Sequence, residues 1–305
     1  MNIIQQSQQK WRFNMHILVT GGFGFIGHHV VKRLKDSGHK VTIIDDLRFI
    51  NTDLYMARGR YMKFAYDDWI NADCASTIVQ DIDVIVHLAC HPNQASFARD
   101  NMVAWKNAIQ STLHLLTAYP NAKMVYISSS MVYGNWINTV QETDPLRPVN
   151  AYGKAKLMCE RLVQDIADQW VILRPTAVYG KRDDGNRVIS KWISAAENHE
   201  PIHVDDITAK LDFTYVEDVA QAICNAAITP ANKVIANVSF GEARTLLYAA
   251  NVIKDWTWTK SEIICGRDLA DDMPRRGAMD TRKAVQYLGY TPKFSLEDGI
   301  QKLIK

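Results

Sequence analysis

The chain has 305 residues, 47% of them apolar and 22% charged, with a formal net charge of +2. That length and apolar content suffice for a full α/β core with a second, smaller lobe. Basic and acidic residues are interspersed, so no dense Lys/Arg block offers a footprint for nucleic acid or a membrane surface. No apolar run reaches the roughly 18 residues of a membrane span.

Residues 1–14 are polar and Gln-rich, and read as a flexible N-terminal extension without the apolar segment of a signal peptide. A cytoplasmic protein is expected. Cys74, Cys90, Cys159, Cys224 and Cys265 are scattered, forming neither a Cys-x-x-Cys pair nor zinc-ligand spacing, so they read as reduced thiols and no metal is expected.

The first predicted strand, His16–Thr20, runs into V-T-G-G-F-G-F-I-G at Val19–Gly27, and helical periodicity follows over Phe25–Lys35. Gly21, Gly24 and Gly27 let the backbone turn tightly without Cβ atoms. The free N–H groups of the helix N-terminus can then hold a pyrophosphate. A second strand, Val41–Ile44, ends in Asp45, near the roughly 20-residue offset at which a carboxylate accepts from the adenosine ribose hydroxyls. That carboxylate repels a 2′-phosphate and favours NAD over NADP, although Arg48 close by softens the repulsion.

Further strands are predicted at Val84–Leu88, Met124–Ser128 and Trp170–Leu173, separated by helices over Val103–Ala118 and Ala151–Ala167. The alternation predicts an α/β fold, a doubly wound parallel sheet with helices on both faces and ligands at the carboxyl ends of its strands. Tyr152 and Lys156 stand four apart on the last of these helices, hence on one face. A tyrosine with an ordinary pKa of about 10 is a poor base, but an adjacent ammonium and a positive nicotinamide favour its phenolate. Ser129 or Ser130, following the strand, can offer a hydroxyl to the reacting oxygen. His87 ends a strand and reads as support for the fold.

Beyond Leu173 the alternation fades through Lys181–Asn186, His203–Lys210 and Met273–Gly277, where a smaller C-terminal substrate-binding lobe is expected. Helices are predicted at Asp218–Ile228, Gly241–Lys254 and Leu269–Tyr287. The expected division is 15–178 for cofactor, with 212–230 returning to it, and 179–211 plus 231–305 for substrate.

Taken in order, several motifs resemble one known family. They are T-G-G-F-G-F-I-G at Thr20–Gly27, H-L-A at His87–Ala89, S-S-S-M-V-Y-G at Ser128–Gly134, Y-G-K-A-K at Tyr152–Lys156 and L-R-P-T-A-V-Y-G at Leu173–Gly180. D-F-T-Y-V-E-D at Asp212–Asp218 and L-G-Y-T-P at Leu288–Pro292 follow. The set resembles the extended short-chain dehydrogenases/reductases, in the NAD-dependent epimerase/dehydratase group that acts on nucleotide sugars, from Met15 nearly to the C-terminus.

The resemblance implies a Rossmann-type fold, NAD as cofactor and a nucleotide-sugar substrate. It implies catalytic Ser129, Tyr152 and Lys156, with Ser130 the alternative hydroxyl and a substrate contact. Phe25, Ile26, Asp45, Asp67, Leu88, Ala89 and Asn107 are implied cofactor contacts, Asp67 near the adenine. A homodimer through Val103–Ala118 and Ala151–Ala167 is also implied. Related dehydratases carry an Asp-Glu pair after the catalytic Ser/Thr, where this chain has Ser130 and Met131. Related decarboxylases place a glutamate where Met131 stands.

A C4 epimerase acting through a keto-sugar is therefore expected, with an NAD(P)-dependent reductase or dehydrogenase as the alternative. A 4,6-dehydratase or decarboxylase ranks below these, and a non-catalytic dinucleotide-binding protein last. Ala177 stands where the family has asparagine and Leu211 where it has arginine. The charge to neutralise a diphosphate then falls to Lys181, Arg182, Lys210, Arg275 and Arg276.

Overall fold

A computed structural model describes residues 14–47, 60–63, 79–90, 101–183, 185, 187–266 and 276–305. The first half alternates β1 (His16–Thr20), α1 (Phe25–Asp36), β2 (Lys40–Asp45), β3 (Arg60–Lys63), β4 (Val84–His87), α2 (Asn101–Ala118), β5 (Lys123–Ile127), α3 (Ala151–Ile166) and β6 (Trp170–Pro175). The second half adds β7 (Val178–Tyr179), α4 (Val188–Glu197), β8 (Ile202–Val204), β9 (Lys210–Leu211), β10 (Thr214–Tyr215) and α5 (Val216–Ile228). It continues with β11 (Val234–Val238), β12 (Arg244–Thr245), α6 (Leu246–Thr257), β13 (Ile263–Cys265), α7 (Arg282–Leu288) and α8 (Leu296–Ile304).

Seven strands form one parallel sheet in the order β11-β6-β5-β4-β1-β2-β3. Its strands are nearly continuous apolar runs because both faces are covered. Alternate residues divide between the faces. Ile17, Val19, Val84, Val86 and Val125 join a core with α1 and α5, while Leu18, Ile85, Met124, Tyr126 and Ile172 join another with α2 and α3. The strand order reverses between β1 and β4, which opens a crevice at their carboxyl ends, the place where such sheets bind ligands.

A separate apolar cluster, including Trp192, Ile202, Val204, Tyr215, Leu246 and Ile300, builds a smaller body from α4, α6, α8 and short strand pairs. The expectation that 231–305 belongs wholly to that lobe is corrected. Val234–Val238 pairs with β6 as the outermost strand of the main sheet. Ala284, Leu288 and Tyr290 pack into the main core. Of the helix predicted over Leu269–Tyr287, residues 269–275 lie outside the described residues, and in the remainder the helix starts at Arg282. Before it, Arg276 and Met279 form bridges to Trp136 and Val140, a tertiary pairing that overrides local periodicity. The helix predicted from Gly241 starts at Leu246, where Thr245 Oγ1 caps it by accepting from Tyr248 N at 3.0 Å. Asp67, Arg48 and Arg275 lie outside the described residues. Among those described, no helix is long and apolar enough to cross a membrane.

Candidate active site

The glycine turn between β1 and α1 occupies the crevice. Gly21 has φ +70°, and a Cβ there would come within 2.9 Å of Ala89 N, so the turn passes hard against the chain leaving β4. A Cβ on Gly27 would collide with the Gly21 carbonyl. At Gly24 a Cβ would meet one described heavy atom within 4 Å, Gly21 O at 3.3 Å, a far looser fit than at Gly27. Gly24 is the N-cap, without a side-chain cap, and the first turn holds no acidic residue. The cradle a Cβ would fill and the uncapped N–H groups beside it fit a pyrophosphate.

Asp45, at the end of β2, is buried. Its Oδ2 accepts from Phe23 N and its Oδ1 from Leu47 N, both at 2.9 Å, so it also ties the glycine turn to β2. On the β4 side, Ala89 N donates to Thr20 Oγ1 at 3.2 Å and Leu88 N to Thr20 O at 3.1 Å. His87 is held between Thr20 Oγ1 and Thr112 Oγ1 at 2.7 and 3.2 Å. Burial, with Lys156 nearby, pushes its pKa down to about 3. A neutral, doubly held imidazole of this kind supports the fold. Asn107 is buried on α2, while Phe25 and Ile26 are half-buried at the start of α1.

Three elements bring the hydroxyls together. Ser129 caps the short 3-10 turn Ser130–Val132, its Oγ accepting from Met131 N at 3.2 Å. Asn150 caps α3 by accepting from Gly153 N at 2.8 Å. Gly153 lies so close to the Met131 carbonyl that a Cβ there would come within 2.5 Å of it. The first turn of α3 is thus seated on the Ser129 turn, which sets the Ser129 hydroxyl close enough to Tyr152 to lower its pKa. Lys156, one turn further along and buried, donates from Nζ to Ile127 O at 2.7 Å and lies 5.8 Å from the centre of the Tyr152 ring.

Burial raises the Tyr152 pKa above its ordinary value, and Lys156, Arg187 and Ser129 offset part of the rise. The ammonium favours the phenolate, but by less than the removal of water disfavours it. For Lys156, burial pulls downward, but Cys90, Tyr152 and Cys159 more than offset it.

Sequence reasoning missed the scaffold behind these groups. Arg174 forms a bidentate pair with Glu160 at 2.9 and 2.7 Å, both side chains 1% exposed. Arg174 also donates to Tyr133 OH at 2.8 Å, and Tyr133 donates to Asn237 Oδ1 at 2.7 Å. Ser128 Oγ donates to Glu160. The signal was present: the charged residue inside the apolar run of β6, and Glu160 one turn beyond Lys156 on the same helix.

The predicted substrate cations do not all converge. Lys181, exposed, contacts α1 through its carbonyl, 2.9 Å from His29 Nε2. Arg182 is half-buried with φ +71°. Arg276 lies elsewhere: its guanidinium donates to the Met131 thioether, and its Nε is buried with no hydrogen-bond partner among the described residues. Burial lowers its pKa to about 10, which leaves it charged at neutral pH. Lys210 is exposed in β9 beside Leu211. Ser130 is buried in its turn, and Ala177 sits at φ +39°, a left-handed conformation that suits asparagine better than alanine. Arg187, unanticipated, lies over the Phe25 ring at 4.6 Å and pairs with Asp183. No cluster of metal ligands occurs among the described residues.

Comparison with known proteins places the chain in a family and supports its fold. The sequence model described as the NAD dependent epimerase/dehydratase family matches residues 17–239. A protein of Bacillus subtilis described as an uncharacterized UDP-glucose epimerase is 31% identical over 311 residues, covering 94% of this chain and 96% of that one. The crystal structure of UDP-glucose 4-epimerase from Thermotoga maritima with UDP-glucose superposes with a TM-score of 0.87 at 26% identity, covering 95% and 97% of the two chains. UDP-glucuronic acid 4-epimerase from Bacillus cereus, in complex with UDP-glucuronic acid and NAD, gives a TM-score of 0.83 at 29% identity, covering 94% and 96%.

Proposed function

The chain belongs to the NAD-dependent epimerase/dehydratase family, and from that premise we propose that it is a nucleotide-sugar epimerase inverting C4 through a transient keto-sugar. The observation that supports the reading is that the first turn of α3, carrying Tyr152, packs on the Ser129 turn, with Lys156 Nζ 5.8 Å from the centre of the Tyr152 ring. The open cradle at Gly24 holds the cofactor pyrophosphate, Asp45 takes the adenosine ribose, and the chain at Leu88 and Ala89 borders the same groove. Bound NAD supplies the acceptor and donor of hydride.

The protein's own work is proton and position. Tyr152 removes the proton of the C4 hydroxyl and later returns it. Ser129 hydrogen-bonds the same oxygen, and Lys156 supplies the charge that stabilises the phenolate. Burial raises the Tyr152 pKa, so its base form depends on the cations around it. The methionine at position 131 can give or take no proton, which disfavours elimination of water and loss of carbon dioxide from the ketone.

The smaller lobe, built mainly from 179–211, 244–266 and 296–305, closes on the nucleotide, with Lys181 and Arg182 at its entrance for the diphosphate. A second copy of the chain packs on α2 and α3, which expose Met102, Leu113, Met158 and Ile166. The test is incubation with NAD and a panel of UDP-, GDP-, CDP- and dTDP-sugars, with products separated and weighed. A new peak of unchanged mass supports the epimerase. Stoichiometric consumption of NAD(H) supports a dehydrogenase or reductase instead.

A further inference from the structure

The chain that carries Ser129 is held on both sides by the two halves of one buried ion pair. Ser129 caps the 3-10 turn Ser130–Val132, and its hydroxyl is the one assigned to the reacting oxygen. Immediately before it, Ser128 Oγ donates to Glu160 Oε1. Immediately after the turn, Tyr133 OH accepts from the Arg174 guanidinium at 2.8 Å. Glu160 and Arg174 are joined to each other by two hydrogen bonds at 2.9 and 2.7 Å, and all four residues are buried.

Only Ser129–Val132 lie between these two anchors. Ser128 N donates to Leu173 O at 2.8 Å, continuing the pairing of β5 with β6, and Tyr133 N donates to Ser130 O at 3.1 Å, which closes the turn. Glu160 also ties the turn to the helix of the tyrosine, because Tyr152, Lys156 and Glu160 stand four apart in one row along α3. Lys156 Nζ donates to Ile127 O at 2.7 Å and Glu160 accepts from Ser128, so two consecutive residues entering the turn are fastened to that row. A carboxylate gripped at both oxygens by a guanidinium is fixed in orientation, and so is the hydroxyl it holds.

We propose that the Glu160–Arg174 pair is a positioning device, which acts through Ser128 and Tyr133 to set the Ser129 hydroxyl against Tyr152, in addition to stabilising the fold. The proposal rests on the reading of Ser129 and Tyr152 as the groups that handle the C4 oxygen. A group displaced by about 1 Å from its reacting atom costs on the order of 100-fold in rate. Loosening either end of the turn therefore acts on the chemical step and leaves the binding of cofactor and sugar in place.

The experiment removes one anchor at a time and leaves the charge pair whole. Ser128→Ala and Tyr133→Phe are compared with the native full chain, NAD-loaded, with UDP-glucose and UDP-glucuronic acid as probes. In each variant kcat falls about 10- to 100-fold, while KM and NAD binding stay within about 3-fold. Ser129 works against the rise in the Tyr152 pKa, so the acid limb of kcat/KM moves toward higher pH in both variants. Ser128→Thr, which keeps the hydroxyl, restores most of kcat. Hydrogen exchange read by mass spectrometry needs no substrate: the Met131 amide, which donates to Ser129 Oγ, exchanges faster in both variants. Thermal melting identifies any variant that does not fold, and because the two act from opposite ends, a fold lost in one leaves the other to decide.

Lower melting temperatures with kcat and the acid limb unchanged mean that the pair serves stability alone, and overturn the proposal. So does a loss of kcat matched by an equal loss of NAD binding, or a loss confined to one of two folded variants. If the native protein turns over neither probe, the epimerase reading fails for these sugars and exchange decides the positioning by itself. Faster exchange at Met131 then upholds it, and unchanged exchange overturns it.

Discussion

At the level of single residues the account turns on Tyr152. Its pKa is raised by burial, and the cations Lys156 and Arg187, with Ser129, work against that rise. Tyr152→Phe keeps the ring and its packing but loses the proton acceptor. Turnover should fall by about 100-fold or more, the range of general acid–base catalysis, while NAD binding measured by calorimetry is unchanged. Unchanged turnover would remove Tyr152 from the mechanism. The pH profile follows from the same electrostatics. The base form is lost as pH falls, so kcat/KM in the native protein declines toward acid. Lys156→Met should move the apparent pKa of that limb upward, since one of the opposing charges is gone. A limb that stays in place would show that Lys156 does not tune the tyrosine. Asp45→Ala should weaken NAD binding, and because Asp45 also holds Phe23 N and Leu47 N it should lower the melting temperature too.

At the level of elements, α3 carries Tyr152 and Lys156, two of the proposed catalytic groups, and is locked by a charge pair out of reach of water. Arg174 and Glu160, each 1% exposed, join β6 to α3, and Tyr133 and Asn237 extend the link to β11. Removing one partner strands the other as a buried charge. Glu160→Gln should therefore cost about 3–5 kcal/mol in urea unfolding, and a cost under about 1 kcal/mol would contradict the pairing. Lys123 at the start of β5 offers a test by linkage. It is buried, donates to Ala226 O and Thr229 O at the end of α5, both at 2.7 Å, and burial lowers its pKa from 10.5 to about 8. Between those values the unfolded chain holds a proton that the folded chain has released. The contribution of Lys123 to stability therefore rises with pH across that window, by on the order of 3 kcal/mol at most. The stability difference between native protein and Lys123→Met, measured at about pH 7.5 and about 9.5, should shift toward the native protein at the higher pH.

The same elements show what the sequence can and cannot disclose. The strand His16–Thr20 and the helix beginning at Phe25 were legible because apolar alternation, the glycine turn and a sharp period change coincide there. Ser129, Tyr152 and Lys156 were legible as motif and spacing, but their hydrogen bonds were not. Arg174 and Glu160 lie 14 residues apart on different elements, so only the folded packing pairs them. V-I-A-N-V at Val234–Val238 carried a strand signal, yet nothing local says that it crosses back to β6. Arg276 was named as a cation for the diphosphate, whereas its neighbour in the fold is Met131.

At the level of the whole molecule, the sheet reverses its strand order between β1 and β4, and a second apolar cluster builds the smaller body. The exposed apolar residues on α2 and α3 belong to this scale as well. Met102 is 79% and Met158 46% exposed, and a dimer would bury them. Sedimentation equilibrium of the native chain should give a two-chain mass, and Met158→Glu should shift it toward one. A monomeric native protein would remove the proposed interface. Asp212 of the D-F-T-Y-V-E-D run accepts from Gly241 N and Met279 N at 3.0–3.2 Å, joining the loop after β11 to the segment before α7.

The central claim is that hydride leaves C4 and returns to the same carbon without release. The most direct measurement uses a nucleotide sugar carrying deuterium at C4, turned over by NAD-loaded protein, with the product examined by mass spectrometry and proton NMR. The account predicts inversion at C4 with the deuterium retained at that carbon and no net change in NAD. A product that has lost the label, or one that forms only as NADH accumulates, would contradict it.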